Sequence, residues 1–164
     1  MLNIISKPYF LLLLLAGSIV TCSSDTSRKS AADFELTLPG GFKALTVVEQ
    51  FGTNRHIAVN SNGDIYIKLD RLKDGKGIYV LRSVSGNYQV IKSFGNYTGT
   101  GIAIKNGYLY ASSDEEVFRY KMVNNEVADP DHPEKIVTGL LKGNEHTSKS
   151  IALDNAGNIY VNIG

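Results

Sequence analysis

His146 follows Glu145 and precedes Thr147-Ser148-Lys149-Ser150, in a polar stretch just before an apolar run. A neutral imidazole titrates near physiological pH and can accept a hydroxyl proton. A lone loop histidine is usually only solvated, so residue type alone does not fix its role. His132 lies 14 residues upstream with no cysteine or closer histidine between, which is not a zinc spacing. Asp114-Glu115-Glu116 reads as a charged loop between strands in preference to a cation site. Gly99-Thr100-Gly101 lacks the third glycine of a dinucleotide fingerprint and is followed by a strand pattern, so it reads as a tight loop. No metal site is expected within this chain.

The elements that must position these residues are strands. From Phe34 onward the chain is rich in Val, Ile, Tyr, Thr and Gly. No window holds a 3.6-residue period, whereas short alternating runs bounded by Gly, Asn and Asp recur. Three runs are copies of one another: Ile57-Ala58-Val59 with Ile65-Tyr66-Ile67, Ile102-Ala103-Ile104 with Leu109-Tyr110-Ala111, and Ile151-Ala152-Leu153 with Ile159-Tyr160-Val161. A glycine-containing turn joins the halves of each. Their starts are 45 and then 49 residues apart. A repeat of about 40–50 residues with four short strands is that of a propeller blade. Gly77–Arg82 and Tyr88–Phe94 supply an outer hairpin, and Val117–Met122 and Lys135–Val137 flank a looser loop in which Pro130 and Pro133 stay out of the ladder. The small Ala58, Ala103 and Ala152 are expected near the crowded axis, and Tyr66, Tyr110 and Tyr160 between blades. Arg55 and Lys149 would face the channel or simply solvate the rim. The fold class expected is an all-β propeller with about two and a half blades present, read as a truncated sequence.

Met1–Thr21 reads as an export signal: Lys7 is the positive region, Tyr9–Leu15 is apolar and Ala16–Ser18 is small. The apolar run falls short of the about 20 residues of a transmembrane helix. Cys22, the only cysteine, directly follows. It looks like the lipid-attachment position of a bacterial lipobox, although Thr21 stands where Gly or Ala is usual. A free or buried thiol, or cleavage without lipid, are the alternatives. Residues 22–33 then form a flexible polar tether and residues 34–164 the propeller part. The chain is expected on the periplasmic or cell-surface side, anchored to the membrane. Asn96-Tyr97-Thr98 matches a glycosylation sequon, to which a bacterial start gives no weight. The net charge is +1 without a basic stripe, which argues against nucleic acid as a partner.

Arg55–Leu69, Gly101–Ser113 and His146–Gly164, together with Phe118-Arg119-Tyr120 and Ile136–Leu140, resemble the glucose/sorbosone dehydrogenase family over roughly Pro39–Gly164. The resemblance implies a six-bladed propeller binding pyrroloquinoline quinone and calcium, and oxidation of aldose sugars or sorbosone-type aldehydes. It implies that His146 is the catalytic base and Glu145 a substrate contact, one methylene longer than the aspartate common in glucose-oxidising members. The glutamine those members carry before the second inner strand is absent from Asn96–Gly101. An arginine and most cofactor ligands are expected beyond Gly164. The implied partners are a sugar or aldehyde and an external electron acceptor, with the 164 residues alone inactive. The alternative is a non-catalytic extracytoplasmic propeller that binds a carbohydrate or protein.

Overall fold

The computed structural model describes residues 36–141, 147 and 149–163. The chain divides into two units, Met1–Thr37 and Leu38–Gly164, and every strand described lies in the second. Among the described residues there is no helix, and none long and apolar enough to cross a membrane.

Strands β1 (Asn54–Val59), β2 (Ile65–Lys73), β3 (Lys76–Val84) and β4 (Asn87–Phe94) make an antiparallel meander in chain order. The second sheet holds β5 (Ile102–Lys105), β6 (Tyr108–Ser112), β7 (Val117–Val123) and β9 (Glu134–Val137), with the short β8 (Glu126–Val127) turned back on the end of β7. β10 (Ser150–Leu153) and β11 (Ile159–Asn162) form a third hairpin. All three sequence copies are therefore hairpins. The register repeats as well: Ala58 faces Tyr66, Ala103 faces Tyr110 and Ala152 faces Tyr160. The all-β, partial-propeller expectation holds.

Turn chemistry follows the sequence. In the second hairpin Asn106 and Gly107 both take positive φ, at 49° and 76°, the pairing that a two-residue turn needs to match strand twist. β8 was absent from the expected elements, yet its Val127 is buried in the core.

The main core lies between the first two sheets. Tyr66, Ile78, Val80 and Phe94 meet Leu109, Ala111, Phe118 and Tyr120. Full burial of a side chain such as Leu109 contributes about 1.5–3 kcal/mol. On the outer face of the first sheet Ile67, Leu69, Tyr79 and Leu81 are covered by Val47 and Phe51. The Phe51 ring stands edge-on to Tyr79 at 5.0 Å.

Strand alternation puts Tyr110 on the face opposite Leu109 and Ala111, with Ser112. Tyr66 and Tyr110 are buried, at 1% and 7% exposure, but Tyr160 is 58% exposed. The expectation of buried tyrosines thus fails at Tyr160, because no described residue covers that face of the third hairpin. Ala152 is exposed for the same reason.

Candidate functional site at the mouth of the inner strands

The first strands of the three sheets, β1, β5 and β10, lie side by side. Their starting ends bring together Arg55 and His56, the Gly99-Thr100-Gly101 loop, and Lys149. Side-chain hydrogen bonds tie these segments across the sheets.

His56 Nδ1 lies 2.8 Å from the carbonyl oxygen of Thr100. A carbonyl only accepts, so Nδ1 donates its proton, and in the neutral ring Nε2 keeps an open lone pair. The His56 side of β1 is exposed at this end. The ring is thereby held in one tautomer with an acceptor available to a ligand.

Ser112 couples the second sheet to the third. The Gly101 N–H donates to Ser112 Oγ at 2.9 Å, and the Ser112 hydroxyl donates to the Lys149 carbonyl. A Cβ on Gly101 would fall 2.5 Å from Ser112 Oγ and 2.6 Å from the Lys149 oxygen, so only glycine fits. This fixes the backbone at Lys149, three residues after His146 in the sequence. Asp70, whose N–H donates to Thr53 O beside the start of β1, keeps carboxylate oxygen Oδ1 buried without a hydrogen bond.

Behind the mouth, Lys68 is fully buried between the sheets. Its Nζ donates to the Tyr97 carbonyl at 2.7 Å and sits 4.4 Å from the centre of the Tyr97 ring. Loss of water pulls the Lys68 pKa down to about 7, with the Asp114 carboxylate opposing. The Tyr97 and Tyr120 hydroxyls are 2.9 Å apart. Burial raises both phenols, Tyr120 to about 12.

His146, Glu145 and Cys22 lie outside the described residues. Arg55 is exposed at the mouth. Lys149 is fully buried, which rules out the alternative that it only solvates the rim. Asp114–Glu116 is a turn closed by the Ser113 hydroxyl accepting from Glu116 N at 3.0 Å, and Glu116 pairs with Lys135 at 2.6 Å. His132 pairs with Asp129 at 3.0 Å in an exposed loop away from the mouth. His56, Lys68 and Ser112 were not singled out from the sequence. His56 carried one legible sign, a histidine at the head of a repeated inner strand.

Residues 36–164 match the TrAA12-like family. The chain belongs to the TrAA12-like family. The TrAA12-like chain is similar in fold to the PQQ domain of pyranose dehydrogenase from Coprinopsis cinerea in its holo form, with a TM-score of 0.57 and 16% identity. That likeness covers 72% of this chain and 29% of the fungal chain. No curated protein matches the sequence. The family shown is thus TrAA12-like, with the fold of a PQQ domain, and not the glucose/sorbosone dehydrogenase family expected from the sequence.

For calcium, the mouth residues described here do not make a site: among the described residues no three His, Cys, Asp or Glu are grouped to hold a metal ion. For a quinone bearing carboxylates they fit better. Arg55 supplies a fixed positive charge, and His56 offers a ring at the rim.

Proposed function

We propose that this TrAA12-like chain is the N-terminal part of a quinoprotein dehydrogenase acting on an aldose or a sorbosone-type aldehyde. What supports this most is the convergence of three inner-strand starts on one mouth, in a fold similar to a PQQ domain. Pyrroloquinoline quinone, when bound, supplies the hydride acceptor. The protein's part is to bind, orient and move the proton. Loss of a hydride from a sugar C1 requires the hydroxyl proton to leave, and His146 accepts it. Glu145 holds a neighbouring sugar hydroxyl. The Ser112–Lys149 bond fixes the backbone at Lys149, three residues after His146 in the sequence. Arg55 would supply a positive charge to hold a carboxylate of the quinone, and calcium ligands would come from outside the described residues.

Export and lipid attachment at Cys22 place the reaction outside the cytoplasmic membrane, where an external acceptor collects the electrons. Cys22→Ser then releases the protein from membranes.

The test is calorimetric titration of the full-length protein with pyrroloquinoline quinone and calcium, paired with aldose-dependent dye reduction, for wild type and His146→Ala. Quinone binding by both with turnover only in wild type is expected. Absence of quinone binding in both would leave a propeller that only binds a carbohydrate or protein.

A further inference from the structure

We infer that a second ligand site lies in the groove between the outer strands of the first two sheets, and that it takes a neutral saccharide. The groove encloses about 410 Å³, within the about 300–1,000 Å³ of small-molecule sites. It is bounded by the start of β3, the segment after β4, strand β7, and the loop from Pro130 to Pro133. Arg55, His56, Thr100 and Lys149 do not line it, so its ligand need not be the one at the mouth. The prolines explain the opening: they cannot join the ladder, and the chain between β8 and β9 stands away from β7.

The apolar part of the lining is ring-shaped. Tyr97 is half-buried, stacked on Phe118 at 4.3 Å and with Lys68 Nζ 4.4 Å from its ring centre, so the apolar surface left to a ligand is that of ring edges and of Pro130 and Pro133 across the groove. The polar part is mixed. Glu116 and Lys135 satisfy each other. The side chains of Lys76, Asn96 and Asp131 have no partner among the described residues and are free to bind a ligand.

Two cations, Lys76 and Lys135, balance two anions, Glu116 and Asp131. An anionic or cationic ligand would therefore gain from one pair and be opposed by the other. A wholly apolar ligand would strip water from all four charges without replacing its hydrogen bonds. A pyranose avoids both costs. Its C–H face packs against Pro130 and Pro133, while its hydroxyls accept from the Lys76 ammonium, donate to the Asp131 carboxylate and do either with the Asn96 amide.

The site stands on its own lining and does not depend on the redox reading. The experiment is ligand-observed NMR titration of the full-length protein with cellotriose, maltotriose and trigalacturonate. The proteins compared are wild type, the double variant Lys76→Ala/Asp131→Ala, and His56→Ala. The two groove substitutions remove partnerless side chains, so the fold is retained, which thermal unfolding checks. A neutral trisaccharide should bind wild type and His56→Ala alike, and bind the double variant about tenfold more weakly or not at all. Three results overturn the proposal: no neutral trisaccharide binds, only trigalacturonate binds, or binding survives in the double variant and vanishes in His56→Ala. Quinone titration on the same samples separates this outcome from the dehydrogenase reading, since either can fail while the other stands.

Discussion

A lysine ammonium wholly removed from water, with one carbonyl and one aromatic face for company, makes folding depend on pH. The Lys68 pKa falls to about 7 from an ordinary 10.5. Between those values the unfolded chain holds a proton that the folded chain has released. Stability therefore rises with pH from about 7 to about 10.5, and the full cost of burying the charge is present below about 7. Wild type should show a higher urea midpoint near pH 9.5 than near pH 6.5. Both conditions lie below the raised ranges of Tyr97 and Tyr120. Lys68→Met, of similar length and without a titrating group, should bring the two midpoints together. A difference that persists in the variant would assign the pH dependence to another group. The same residue shows where sequence reading stops. In Ile65–Leu69 a lysine alternating with apolar residues looks like the solvent side of a strand. The second sheet covers that side, and nothing local to the strand announces it.

At the scale of the element, what was legible was the hairpin. Alternation, a glycine turn and a repeated tyrosine located β1–β2, β5–β6 and β10–β11 and the outer pair β3–β4, because each is held by neighbours close in sequence. What was not legible was whatever depends on a second element. β8 spans only Glu126–Val127 and exists because Val127 reaches the core between sheets. The tight approach of the Gly101 loop to Lys149 joins residues 48 apart, and glycine alone did not disclose it. That approach can be tested. Gly101→Ala puts a methyl inside the space of both Ser112 Oγ and the Lys149 carbonyl, and should destabilise by about 1–3 kcal/mol in urea unfolding. Adding Ser112→Ala should not restore the loss. The Lys149 oxygen would still stand 2.6 Å from the new carbon. Recovery in the double variant would mean that the hydroxyl alone closes the junction between the second and third sheets.

Among the described residues, hydrogen bonds join the sheets both at the mouth and at the far end. At the far end the Arg82 guanidinium forks onto Asp64 at 2.8 and 2.7 Å and reaches Glu126 of the next sheet at 2.8 Å. Asn60 Nδ2 donates to the Asn125 carbonyl at 2.8 Å. Between these ties sits the tyrosine of each repeat, always on the same strand and in the same register, but with different neighbours. Tyr66 is 1% exposed against the second sheet, whereas Tyr160 is 58% exposed. If burial between sheets, and not the hairpin, gives this residue its weight, the same substitution must have unequal effects. Tyr66→Ala should cost about 3–5 kcal/mol by leaving a cavity, and Tyr160→Ala less than about 1 kcal/mol. Chemical unfolding of the 164-residue chain measures both. Equal losses would show that the tyrosine acts within its own hairpin. A loss at Tyr160 that grows to match Tyr66 in a longer protein would show a further sheet seated on β11, with the repeat carried forward by the same packing.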